Sequence, residues 1–168
     1  MLNKKTVVII GGTKGIGLEI TNYFLSKDFN VSISARHVEK FKTNKKNLLK
    51  FSGDFSNEIS HKKLINKTLK KFGRIDAYIN HVGLSEWRPI EKVDLKFMNK
   101  RILNNYCATV WGCKQASKVI KSGSSIINIS SIAGKRGSNK NATYSSTKCA
   151  ISGLTQSLSK ELGEKGIR

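Results

Sequence analysis

The apolar positions of this chain fall into short runs separated by longer amphipathic stretches. Thr6-Val7-Val8-Ile9-Ile10 is a continuous apolar run too short for a buried helix, as expected of a strand covered on both faces. Similar runs and their bounding polar residues predict strands near residues 6–10, 30–35, 48–52, 75–80 and 125–131. Apolar residues at helical spacing predict helices near 15–27, 38–44, 56–72, 92–120 and 143–163, with Ile16, Ile20 and Phe24 on one face of the first. Strands alternating with helices imply right-handed βαβ units and a parallel sheet with helices on both faces. No internal repeat or linker interrupts the pattern, so residues 1–168 read as one domain.

Two clusters fall where that scheme concentrates chemistry. Gly11-Gly12-Thr13-Lys14-Gly15-Ile16-Gly17 stands between the first strand and the first helix. Glycines there allow a sharp turn and let backbone N–H groups approach a pyrophosphate at the helix N-terminus. Their spacing differs from the Gly-x-Gly-x-x-Gly fingerprint of many dehydrogenases. The second cluster is Tyr144-Ser145-Ser146-Thr147-Lys148, opening the last helix shortly after Ser131 ends the fifth strand. A Tyr and a Lys four residues apart share a helix face, about 5–6 Å apart at Cβ. An ammonium so placed favours a phenolate, and such a Tyr exchanges a proton with a carbonyl or alcohol oxygen.

Together with Asp54 in Ser52-Gly53-Asp54-Phe55, Asn80-His81-Val82-Gly83 after the fourth strand, and Asn105 in the following helix, these residues resemble the short-chain dehydrogenase/reductase family. Ile10 stands where the family usually has Thr, and Asn80-His81-Val82-Gly83 matches its Asn-Asn-Ala-Gly motif imperfectly. The resemblance implies a doubly wound, Rossmann-like α/β fold of strand order 3-2-1-4-5, with the ligand at the strands' carboxyl ends by the switch point between strands 1 and 4. It implies catalytic roles for Ser131, Tyr144, Lys148 and Asn105, the last positioning a relay water. It also implies a dinucleotide site built from Gly11, Thr13, Lys14, Gly15, Ile16, Gly17, Arg36, Asp54, Phe55, Asn80, Val82, Gly83, Tyr144 and Lys148. The second strand ends Ser32-Ile33-Ser34-Ala35-Arg36 without a carboxylate, so Arg36 and Lys14 favour NADP(H) over NAD(H).

Other residues receive plainer readings. His81 replaces the family's second Asn and reads as a structural polar contact rather than a second acid/base group. Ser130 alternates away from Ser131. Ser145 and Thr147 read as helix surface or dimer contact, Trp87 and Pro89 as an edge of the substrate pocket, and Tyr106 and Trp111 as helix packing. Homo-oligomerisation is expected through the helices at 92–120 and 143–163. Three cysteines (Cys107, Cys113, Cys149) lack metal-ligand spacing and read as reduced thiols of a cytoplasmic protein. No apolar run approaches the roughly twenty residues of a membrane span.

Charge is what the resemblance does not account for. Lys and Arg outnumber Asp and Glu 31 to 11, for a net charge of +20. A basic patch suits an acidic acyl carrier, and 3-oxoacyl reductases belong to the family; sparse interleaved aromatics disfavour nucleic acid. The reading is therefore an NADP(H)-dependent oxidoreductase acting on a ketone or secondary alcohol. The alternative is a non-catalytic dinucleotide-binding or nucleic-acid-associated protein that keeps the fold. The resemblance further implies strands and a substrate lid beyond Arg168, so the domain reads as incomplete at its C-terminus, with the fifth strand as an exposed apolar edge.

Overall fold

A computed structural model describes residues 4–43 and 45–168. Five parallel strands, β1 (Thr6–Ile10), β2 (Asn30–Ala35), β3 (Leu48–Ser52), β4 (Ala77–Asn80) and β5 (Ser125–Asn128), form one sheet of order β3-β2-β1-β4-β5. This is the predicted order. β1 is central and buried at every position, which is why its apolar run does not alternate. Val7 and Ile9 enter one core with Val31, Ile33 and Leu25 of α1 (Gly15–Ser26). Val8 and Ile10 enter the other with Tyr78 and with Leu64 and Ile65 of α2 (Glu58–Phe72). Each such aliphatic side chain contributes about 1.5–3 kcal/mol by leaving water, so the period-two pleat loads both faces of the sheet.

Between β4 and β5 the sequence predicts one helix. The structure has α3 (Leu95–Arg101), a π-helical turn (Ile102–Cys107) and α4 (Ala108–Ser117). Hydropathy carries no signal for that one-residue widening, which places Asn105 inward. After β5, α5 (Ala142–Gly163) runs back along the sheet.

Three expectations change. The helix predicted at 38–44 is a single 3₁₀ turn, Val38–Lys40, with Phe41 already extended (φ −83°, ψ 94°). Among the described residues of that stretch, Val38 and Phe41 meet a core, one turn's worth of apolar contact; residue 44 lies outside the described residues. The buried face of α1 is Gly17, Thr21 and Leu25, while Ile16 is 63% exposed. Gly17 lets the helix press onto the glycine loop, and Thr21 Oγ1 donates to Gly12 O (2.8 Å); Ile20 and Phe24 of the predicted face still pack against the core beside them, and Ile16 alone turns outward. Finally, the open side of β5 is not bare. Arg168 N donates to Ser124 O (3.0 Å) and Arg168 O accepts from Ile126 N (2.7 Å), although Ile127 remains 41% exposed. Among the described residues no helix is long and apolar enough to cross a membrane.

Candidate active site

The turn after β1 is as tight as its glycines allow. Gly11 has φ +83°, and a methyl group there would sit 2.2 Å from His81 O; one on Gly17 would sit 2.1 Å from Gly11 O. Side chains are thus excluded at both positions. α1 then starts with no side-chain cap and no acidic residue in its first turn, leaving its leading N–H groups for an anion. Gly15 (φ +51°) has open space on its Cβ side.

A groove of about 460 Å³ runs across the carboxyl ends of the strands. At one end it is lined by Gly11, Thr13, Lys14, Arg36, Asp54 and Phe55, at the other by His81, Val82, Gly83 and Leu84. The glycine cradle, the uncapped helix and the two cations suit an elongated, polyanionic dinucleotide. Eight of the predicted cofactor residues line this groove, and Gly15, Ile16 and Gly17 begin the helix beside it. Asn80 does not line it. Its Nδ2 donates to Asn128 Oδ1 (2.8 Å) beneath the groove, strapping β4 to β5, and its Oδ1 abuts Gly112, where a methyl group would lie 2.1 Å away. Gly112→Ala is therefore expected to lower unfolding stability by about 1–3 kcal/mol. A urea midpoint equal to the parent's would show that Asn80 gives way freely.

Of the predicted catalytic residues, Ser131 follows β5, Tyr144 and Lys148 stand on α5, and Asn105 lies on the π-helical turn. Ser130 Oγ donates to Lys148 O (2.7 Å), and a methyl group on Gly134 would lie 2.8 Å from Lys148 C, so the turn Ile132–Gly134 seats directly on α5. Ser131 opens that turn, its Oγ accepting from Ala133 N (3.2 Å). Lys148 is 4% exposed; its Nζ donates to Ile129 O (2.9 Å) and Val82 O (3.4 Å) and lies 5.9 Å from the Tyr144 ring centroid. Burial pushes the Lys148 pKa down, because desolvation penalises its charged form. A methyl group on Gly83 would be 3.4 Å from Lys148 Nζ, so the ammonium lies directly under that end of the groove.

Asn105 is held by protein at its side chain. Its Oδ1 accepts from Leu84 N (2.7 Å), while its Nδ2 donates to Leu84 O (3.2 Å) and Thr147 Oγ1 (3.0 Å). The side chain clamps the Leu84 loop to α5, with both polar ends engaged by protein. Thr147 is only 5% exposed, not helix surface, and its hydroxyl donates to Tyr144 O (2.8 Å). A signal for this existed in the sequence: Thr147 falls four residues before Ile151 on the inward stripe of α5. His81 also departs from expectation. Its Nδ1 is buried without a hydrogen-bond partner among the described residues, and the ring packs on Gly11 and Gly17 instead of tying strand ends.

Sequence reasoning missed the device that holds the loop after β4. Glu86 pairs with buried Arg101 and with Arg88 (3.1 Å), and Arg88 reaches Asp94 (3.3 Å). Both guanidiniums stack on Phe97, at 3.9 and 4.4 Å from its centroid. Arg88 N donates to Lys140 O (2.6 Å), which ties this loop to the one before α5, and Trp87 beside it is exposed.

The sequence matches the family model for short chain dehydrogenase over residues 5–168. The chain belongs to the short-chain dehydrogenase/reductase family. It is thus an oxidoreductase-family chain of the kind that acts on CH–OH and C=O groups with NAD(P)(H). Among its relatives is the short-chain dehydrogenase/reductase aba4 of Botryotinia fuckeliana (strain B05.10), 32% identical over 98% of this chain and 68% of that protein. Another is the human 3-oxoacyl-[acyl-carrier-protein] reductase, 26% identical over 98% of this chain and 72% of that protein. The solved structure of ElxO with NADP bound superposes at a TM-score of 0.89, with 36% identity, over 98% of this chain and 71% of that one. A short-chain dehydrogenase/reductase from Brucella melitensis superposes at 0.93 with 26% identity, over 98% of this chain and 72% of that one.

Proposed function

We propose that this chain is an NADP(H)-dependent oxidoreductase interconverting a ketone and a secondary alcohol. The observation that carries the cofactor preference is the pairing of Lys14 and Arg36 at one end of the groove, with no carboxylate at the end of β2. A forked guanidinium suits a ribose 2′-phosphate and has nothing comparable to offer a 2′-hydroxyl. The NADP-bound ElxO structure supports this reading. Arg36→Ala is expected to weaken NADPH binding about tenfold, as for loss of a charge-assisted contact, and NADH binding less than about twofold. Equal losses for both, read by fluorescence titration, would reverse the assignment.

When bound, the nicotinamide supplies or accepts the hydride. Tyr144 gives its proton to the substrate oxygen in reduction and takes it back in oxidation. The Ser131 hydroxyl donates to the same oxygen and stabilises the charge developing there. Lys148, whose buried Nζ donates to Val82 O and Ile129 O, favours the Tyr144 phenolate while charged, and its lowered pKa makes it the readier to give up a proton towards Tyr144. Asn105 and Thr147 fix the height of α5 relative to the Leu84 loop, and so fix Tyr144 against the groove.

A 3-oxoacyl thioester on an acidic carrier is the favoured substrate class, supported by the net charge of +20 and by the named activity of the human relative. Exposed Leu95, Met98, Ile102 and Leu103 form an apolar stripe along α3 and the π-helical turn, which suits packing against a second copy. NADPH oxidation across a panel of 3-oxoacyl thioesters, simple ketones and sugars tests the function. Ketone-dependent oxidation is expected, and no oxidation alongside no NADPH binding would return the fold to a non-catalytic role.

A further inference from the structure

His61 sits on the inward face of α2, fully buried, and nothing in the proposed chemistry uses it. Both ring nitrogens are engaged. Nε2 lies 2.9 Å from Phe55 O and Nδ1 lies 2.8 Å from Tyr78 Oη. A carbonyl only accepts, so Nε2 carries the proton and Nδ1 accepts from the Tyr78 hydroxyl. The ring also meets Phe55 edge-on, at 4.9 Å between centroids and 85° between planes.

What hangs from this tether is the groove wall after β3. Asp54, Phe55 and Ser56 all face the groove. Their local bonds close the turn on itself: Asp54 Oδ1 accepts from Ser56 N (2.9 Å), and Asn57 Nδ2 donates to Asp54 O (2.7 Å). Neither bond reaches the sheet. Gly53 N donates to Ala35 O (3.2 Å) just before the wall and the Phe55 ring enters the core, but the wall's backbone at Phe55 is linked to β4 through His61, which carries the Phe55 carbonyl to Tyr78, whose ring is fixed in the core. A buried imidazole is a costly way to fill space that a leucine would fill, and its cost is offset only where both nitrogens are used.

We propose that His61 is a positioning residue for the adenine end of the dinucleotide site, holding the Asp54–Ser56 wall at a fixed distance from Arg36 by bridging Phe55 O to Tyr78 Oη. The inference rests on the dinucleotide reading of the groove. It assigns to α2 a part in cofactor affinity, although α2 contributes no groove-lining residue.

The test uses 2′,5′-ADP, which occupies only the adenine end, titrated calorimetrically into the parent chain, His61→Leu, His61→Gln and Tyr78→Phe, with thermal unfolding recorded for each. His61→Leu is expected to bind the probe about tenfold more weakly, and Tyr78→Phe about threefold, the scale of one or two lost hydrogen bonds. His61→Gln keeps a donor for Phe55 O and should recover affinity to within about threefold of the parent. Variants that lose thermal stability yet bind the probe as tightly as the parent would make His61 a core residue only, and overturn the proposal. Should His61→Leu not fold, Tyr78→Phe decides by the same criterion. A parent chain that binds none of 2′,5′-ADP, NADPH and NADH would remove the dinucleotide reading and this inference with it; if it binds NADH alone, the same variants are titrated with ADP-ribose in place of 2′,5′-ADP, and a binding parent with insensitive variants removes the inference alone.

Discussion

Tyr144→Phe is expected to lower kcat for ketone reduction by about a hundredfold to ten-thousandfold, the usual scale for one general acid. NADPH affinity should change less than about threefold, because the phenolic oxygen is the only group removed. The substitution conserves ring volume, and the backbone contact that seats this residue, Thr147 Oγ1 to Tyr144 O at 2.8 Å, is untouched. The ring stays within reach of Lys148 Nζ, 5.9 Å from its centroid in the parent, so the ammonium keeps its place under Gly83. A loss confined to kcat would locate the hydroxyl's contribution, roughly 3–5 kcal/mol, in the transition state. Turnover within about threefold of the parent would show that proton transfer to the substrate oxygen does not pass through Tyr144. A parallel fall in cofactor affinity would instead mean that the ring is a wall of the site.

The parts of this site that were legible in the sequence are those whose chemistry forces a residue type. Gly11 and Gly17 could be read because side chains at those points would overlap backbone at 2.2 and 2.1 Å. The strand order followed from the family resemblance, and the strands themselves from apolar runs that only a two-sided sheet can bury. What escaped was set by relations between elements. Asn105 could be marked from the resemblance, yet its partners Leu84 and Thr147 depend on a π-helical turn that hydropathy does not encode. Asn80 was placed in the groove because its motif sits at a strand end; its side chain turns under the sheet because Gly112 leaves room there and Asn128 offers an acceptor. The Glu86–Arg88–Arg101 cluster was invisible for the same reason. Its charges are spread over sixteen residues of loop and helix and meet only because Phe97 provides a surface for both guanidiniums.

Acid is expected to weaken this fold before its surface carboxylates titrate, and His61 is the reason. Burial lowers the His61 pKa from 6.5 to about 4; the hydrogen bond to Phe55 and the charge of Glu58 pull the other way and lose to desolvation. In the unfolded chain the same imidazole takes a proton near its ordinary value. Between pH 6.5 and 4 the unfolded chain therefore binds a proton that the folded one refuses, and stability falls as pH falls through that window. The contribution is fully present above pH 6.5, and a shift of this size corresponds to about 3 kcal/mol, large against a typical total of about 5–15 kcal/mol. The groups facing the ring do not cancel it. Tyr78 is kept in its phenol form by burial, Cys113 beside it is likewise pushed up to about 11, and Glu58 is held ionised by its hydrogen bond to Lys114. Urea unfolding of the parent at pH 7, 6 and 5 should show a progressive loss, and His61→Gln, which cannot protonate, should show a flatter one. The comparison subtracts every carboxylate common to the two proteins. Parallel lines would mean that His61 titrates alike in both states, and that the cage of Phe55 and Tyr78 opens to water well before the sheet does.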